Sequence, residues 1–279
     1  METDKEILFK KNSLIRVPVR LGESAFVDHK IPEKTIKKLV DAVIGFKHIM
    51  RANEVLHYKG CATSAMREAK NGEAIMQRLE KEAGVKVHII SGAVEARMIF
   101  ASQQSFANKL KENCIFIDVG GGSTEITIFS KGDVVSARSF DIGTIRILNN
   151  LVEKESWKEM RDWLKKSSGK LANFSIVGSG GNINRIAKLA QLKLGKAMSI
   201  ELLDDIINQI KPLSLENRMK QFDLNPDRAD VIVPAGEIFL TIMRWTNGSK
   251  IFIPKIGLSD GMVREVFAEY KLGIRSNFE

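Results

Sequence analysis

Asp118 and Glu125 stand on either side of three consecutive glycines in the stretch IDVGGGSTEI, residues 117–126. Gly120, Gly121 and Gly122 carry no Cβ, so backbone N–H groups there can close on an anion, and positive φ is open to them. An anion beside two carboxylates is unfavourable unless a divalent cation lies between them. The pattern therefore suggests a Mg²⁺-bound phosphate, with Asp118 and Glu125 on the metal and Gly120, Gly121, Gly122 and Ser123 on the phosphate. A tight hairpin with a convenient aspartate would also use three glycines; the full string DVGGGSTE argues against that reading. A second loop follows in IVGSGGNINRI, residues 176–186. Gly178, Gly180 and Gly181 end an apolar run and open a helical pattern, whose N-terminus favours phosphate. No Gly-Lys-Ser/Thr follows, so this is not a Walker A loop. The two loops together fit a clamp around a polyphosphate.

Strands and helices alternate around these loops, which is an α/β pattern. NSLIRVPVR, residues 12–20, reads as a strand, with Pro18 marking an edge or an end. Ile36, Leu39, Val40, Val43, Ile44 and Ile49 recur at helical spacing between Glu33 and Arg51. A strand near Val55 to Cys61, a helix closed by Gly84, a strand over 85–90 and a helix over 92–110 follow. CIFIDV and EITIFS read as two strands joined across the triple glycine, and Lys131-Gly132-Asp133 turns the chain into a third, VVSARSF. Helical pattern runs from Ile142 to Ser167, the second glycine loop joins a strand to a helix, KIFIP reads as a strand, and a last helix follows Asp260.

A chain of 279 residues holds two modest domains or one large one. With 44% hydrophobic and 28% charged residues it reads as an ordinary soluble globular protein. The net charge of +9 reads either as a solvated, soluble surface or as a field that attracts a polyanion; it is scattered and lacks interleaved aromatics, so nucleic acid is not expected. Cys61 and Cys114 are isolated thiols, as in a reducing cytoplasm, and His29, His48, His57 and His88 show no metal-ligand or triad spacing. No signal peptide and no long apolar run is present, so a cytoplasmic, non-membrane protein is expected.

The strings ATSAMREAKNG, IISGAVEARMIF, IDVGGGSTEITIF, IVGSGGNINRIA, PDRADVIVPAGEIF and GLSDGMVREVF, in this order, resemble the exopolyphosphatase and guanosine pentaphosphate phosphohydrolase family. These strings run from residue 62 to residue 267, and the resemblance covers residues 12 to 270, nearly the whole chain. The resemblance implies an actin-like ATPase fold of two RNase-H-like domains, residues 1–112 and 113–279, with a cleft between them and the last helix, about 260–279, packing back on the first. It implies Mg²⁺-dependent hydrolysis of a terminal phosphoanhydride. Arg67 matches a phosphate contact, Glu95 the catalytic carboxylate, Asp118 and Gly120 positions near metal and phosphate, and Glu125 a second acid for metal or water. Glu95 could orient or deprotonate the attacking water, and the forked Arg67 suits phosphate oxygens. Alternatively Glu95 caps a helix and Arg67 pairs with a neighbour; Arg20 and Lys255 read as surface charges.

The family pattern opens with an Asp-Ile-Gly-Ser-Asn-like first phosphate loop, and nothing of that kind precedes residue 12. Two strands and a metal-side aspartate of the first domain are therefore expected upstream in a longer gene product, or lost in this member. The substrate expected is inorganic polyphosphate, hydrolysed from its end to orthophosphate. The alternatives are guanosine pentaphosphate hydrolysis and a non-catalytic polyphosphate or nucleotide binder. A sugar kinase is disfavoured, since SGAVEAR and TSAMREA have no role there. A homodimer is possible.

Overall fold

The computed structural model describes residues 9–95, 97–99, 102, 113–169, 173–193, 196–254 and 256–273. In its first half, helices α1 (Leu21–Val27), α2 (Glu33–Ala52), α3 (Ser64–Glu68) and α4 (Gly72–Ala83) surround two short parallel strands, β1 (Cys61–Ala62) and β2 (His88–Ile89). The apolar stripe of α2 (Ile36, Val40, Val43) meets Ile75 and Leu79 of α4 and Ile31 in one core. The helix expected to run on to Gly84 is divided into α3 and α4. Asn71 exchanges two hydrogen bonds with the backbone of Ile31, its Oδ1 accepting at 3.0 Å and its Nδ2 donating at 2.8 Å, and α4 restarts behind it. Gly84 then closes α4 at φ 63°.

The strand expected over residues 12–20 is absent; this stretch is irregular. Its side chains are drawn to other partners. Arg16 pairs with Asp227, Arg20 with Asp230, and the Pro18 carbonyl accepts from Lys38 at 2.8 Å. Pro18 has no N–H to offer a ladder.

The second half is a six-stranded sheet in the order β5-β4-β3-β6-β8-β7. Its strands are β3 (Asn113–Val119), β4 (Thr124–Ser130), β5 (Asp133–Phe140), β6 (Phe174–Ser179), β7 (Ala197–Ser199) and β8 (Lys250–Phe252). β3, β4 and β5 form the expected meander, with Lys131 and Gly132 both at positive φ in the second turn. β6 joins β3 in parallel, and β8 joins β6 in parallel. Helices α5 (Thr144–Leu148), α6 (Lys154–Ser168), α7 (Gly181–Leu189), α8 (Ile200–Ile210), α9 (Leu215–Phe222), α10 (Pro226–Ala229) and α11 (Ile232–Trp245) accompany the sheet. Ile115, Ile117, Ile126 and Ile128 face the larger core with Ile183, Ile207 and Phe239, while Cys114, Phe116, Phe129 and Val177 bury the opposite face. The helix expected from Ile142 to Ser167 is two, α5 and α6, because Asn150 turns the chain at φ 55°.

The last helix, α12 (Leu258–Leu272), reaches back to the first half. Lys59 binds Glu265 at 2.8 Å and Glu269 at 2.7 Å, Tyr270 lies 4.9 Å from the His57 ring, and Gly261 abuts the Met98 backbone. The helix expected over 92–110 is seen at 92–95 and 97–99; the remainder, apart from Ser102, lies outside the described residues, as does Lys255. Among the described residues no helix is long and apolar enough to cross a membrane.

Candidate active site

Strand register builds the site. Asp118 at the end of β3 stands directly opposite Glu125 of β4, so both carboxylates emerge on one face. Ser139 of β5 is the register partner of Glu125, and Ser179 of β6 that of Asp118. The result is a polar row across four strands. Ser179 Oγ donates to Asp118 at 2.6 Å; Ser139 Oγ and Ser123 Oγ donate to Glu125 Oε1 at 2.8 and 2.6 Å.

This row opens into a cleft of about 760 Å³ lined by Asp118, Gly120, Gly121, Ser123, Glu125, Gly180 and Gly181. Glu95 faces it from the first half and is 8% exposed. Its Oε2 accepts from Arg67 at 2.8 Å, and the same Arg67 nitrogen donates to the Ile90 carbonyl at 2.8 Å. The backbone of Val94 is capped by Ser91 Oγ at 3.3 Å, so the side chain of Glu95 is not the cap of this helical turn. Arg67 stands behind Glu95 rather than on the cleft wall.

Gly122 and Gly178 also lie off the wall. A Cβ on Gly122 would come within 2.9 Å of both Phe26 Cε1 and Ser64 Oγ, so this glycine makes room for α1. A Cβ on Gly178 would meet Ile251 at 2.7 Å and Phe239 at 3.2 Å inside the large core. Nor does the triple glycine take positive φ. The left-handed residue of the two loops is Gly180, at φ 106°. It turns the chain from β6 into α7, whose N-terminus ends at the cleft.

Several cleft residues escaped the sequence reading: Lys11, Leu14, Thr63, Ser64, Asn184 and Asp260. Thr63 and Ser64 sit inside the string ATSAMR, whose hydroxyls were the available signal. Asn184 Nδ2 donates to the Gly180 carbonyl at 2.9 Å, which leaves its buried Oδ1 without a hydrogen-bond partner among the described residues.

Burial raises the pKa of Asp118, with the charge of Glu95 adding to it. Burial also lifts Glu125 to about 7, against hydrogen bonds from Ser123 and Ser139 that favour its ionised form. The donor set suits a hard divalent cation, since carboxylate and hydroxyl oxygens face the cleft and the buried negative charges lack compensation. Among the described residues no three His, Cys, Asp or Glu converge into an enclosing ligand set. A cation held by one or two carboxylates, with water and substrate oxygens completing its shell, is the usual Mg²⁺ arrangement.

A carboxyl titrating near 4.5 unfolded and about 7 folded gives stability that is full below pH 4.5 and withdrawn as pH rises through 7. The loss is about 3 kcal/mol for Glu125, and Asp118 adds in the same direction. Denaturant titrations of metal-free protein should therefore show stability falling from pH 5 to pH 8, and added Mg²⁺ should restore most of it at pH 8. A flat profile would contradict the burial of these carboxylates.

An α/β cleft bordered by two glycine loops and by the carboxylates of Glu95, Asp118, Glu125 and Asp260 suits phosphoryl chemistry, and residues 5–269 match the family model described as the Ppx/GppA phosphatase family. The chain belongs to that family of phosphatases. Exopolyphosphatase 1 of Mycobacterium leprae is 23% identical over 274 residues, covering 90% of this chain and 80% of that protein. A bifunctional 3-dehydroquinate synthase/phosphatase of Fusobacterium nucleatum is 26% identical over 267 residues; the match covers 85% of this chain but only 38% of that longer protein. Among solved structures, the Ppx/GppA family member of Aquifex aeolicus aligns with a TM-score of 0.68 at 25% identity, over 92% of this chain and 88% of its own. An exopolyphosphatase of Cytophaga hutchinsonii aligns with a TM-score of 0.77 at 21% identity, over 92% and 88%. The fold is the α/β fold of this family, as expected.

Proposed function

We propose that the cleft hydrolyses the terminal phosphoanhydride of inorganic polyphosphate and releases orthophosphate. The observation that carries this reading is the convergence of Glu95, Asp118, Glu125 and the N-terminus of α7 on one cleft. Glu95 takes a proton from the attacking water, whose oxygen bonds to the terminal phosphorus as the bond to the bridging oxygen breaks. Arg67 holds the Glu95 carboxylate in place from behind. Asp118 and Glu125 would hold Mg²⁺, which when bound neutralises phosphate charge. Without a cation the carboxylates of Glu95, Asp118 and Glu125 would repel the substrate. Backbone groups of Gly120, Gly121, Ser123, Gly180 and Gly181 line the space for the phosphates.

The reading includes a two-domain arrangement, 1–112 and 113–279, which the separate cores of the two halves support. It also includes residence in the cytoplasm, consistent with Cys61 and Cys114 standing as thiols rather than as a disulfide. A homodimer would show in light scattering. Guanosine pentaphosphate is the second substrate reading: a guanosine-5'-triphosphate,3'-diphosphate pyrophosphatase of Pseudoalteromonas translucida is 24% identical over 264 residues, 90% of this chain and 52% of that protein.

Phosphate release from long-chain polyphosphate should require Mg²⁺ and stop on chelation. Turnover of guanosine pentaphosphate with polyphosphate untouched would favour the second reading. Binding of either without turnover would leave a non-catalytic binder.

A further inference from the structure

β5 is the outermost strand of the six-stranded sheet, and among the described residues no strand pairs with its outer side. An open edge offers a row of backbone donors and acceptors to a further strand. This edge is apolar as well as open, since Val134 is 41% exposed and Val135 52%. No proline blunts it.

The register of β5 against β4 contains one irregularity. Ile128 pairs with Ser136 and Phe129 with Val134, so Val135 is an extra residue, a bulge. The bulge changes which side chains share a face. Asp133, Ser136 and Arg138 lie opposite Ser130, Ile128 and Ile126, which alternate along β4 and so share one face. Val134 and Ala137 lie opposite Phe129 and Thr127, on the other face. In a regular strand Asp133 and Arg138 would point to opposite sides.

Two copies related by a two-fold axis perpendicular to the sheet pair antiparallel, and the rotation keeps each face on its own side. Residues that meet must therefore share a face. An axis between Val135 and Ser136 sets Asp133 against Arg138 of the partner subunit and Val134 against the partner's Ala137. Both pairs satisfy the rule because the bulge has shifted the alternation. The edge is thus complementary to itself in charge, and symmetry makes the pair of Asp133 with Arg138 occur twice. Arg138 pairs with Glu159 of α6 and lies 5.0 Å over the Phe140 ring, which holds its fork at the edge. Asp133 is exposed and in no ion pair among the described residues.

We infer that this edge is a homodimer interface in which β5 pairs antiparallel with β5 of a second copy, joining two six-stranded sheets into one. The inference rests on the homodimer reading above and supplies its surface. One edge pairing lies at the small end of protein interfaces, so a concentration-dependent balance of one and two chains is expected.

The test is sedimentation velocity over a wide range of protein concentration, on wild type, Asp133→Arg, Arg138→Asp and the double variant Asp133→Arg/Arg138→Asp. Wild type should shift from one chain to two as concentration rises. Each single reversal sets like charges against each other at two places and should weaken association about tenfold. The double variant exchanges the charges and should recover wild-type association, which a damaged fold would not do. Wild type that stays a single chain at every concentration would overturn both this inference and the homodimer reading. A dimer unmoved by the single reversals, or one that the double variant fails to repair, would overturn this surface and leave the homodimer reading standing.

Discussion

Glu95→Gln should lower kcat for phosphate release by about 10²-fold or more while polyphosphate affinity stays within about twofold. The amide keeps the shape of the carboxylate and can still accept from Arg67, whose nitrogen lies 2.8 Å from Glu95 Oε2, so the wall should stand. What is lost is the site for the proton of the attacking water. Burial sharpens the contrast, because a side chain only 11% exposed has little bulk water to replace it. Rate and binding falling together would make Glu95 a structural partner of Arg67. A second variant, Arg67→Gln, separates the roles: a residue that only positions Glu95 should change kcat and its pH profile more than KM.

Gly180→Val should abolish phosphate release, to below about 10⁻³ of wild type, and lower Tm. Gly180 sits at φ 106° and ψ 161°. That region is essentially closed to residues with a side chain, at a cost of about 1–3 kcal/mol. A Cβ there would also stand 3.1 Å from the Val119 carbonyl and 3.4 Å from Asp118 Oδ1, pressing on a proposed metal ligand. Gly121→Ala is the control for stability: among the described residues its Cβ would meet the Ile145 side chain, at 3.3 Å, and Tm should move little. Equal Tm losses in both variants would refute the special role of Gly180.

The hairpin of β3 and β4 was legible because apolar alternation and a glycine turn are local signals. The polar row was not. Ser179 reaches Asp118 only through the parallel pairing of β6 with β3, and no sequence spacing announces that register. Glycine marks a close approach without saying what approaches, and so Gly122 and Gly178 read as phosphate contacts although their neighbours are Phe26 and Ile251. The strand expected at 12–20 failed for a related reason. Its alternation was real, but Asp227 and Asp230, more than two hundred residues away, claim Arg16 and Arg20. Helix breaks at Asn71 and Asn150 depend on single side chains and turns inside otherwise good helical patterns.

α12 returns to the first half and is fastened there by Lys59, and the halves also meet where Arg20 pairs with Asp230 and Glu68 with Arg146. Glu95 comes to the cleft from one side of this seam and Asp118 with Glu125 from the other, so the same charged pairs that join the halves also hold those carboxylates across one gap.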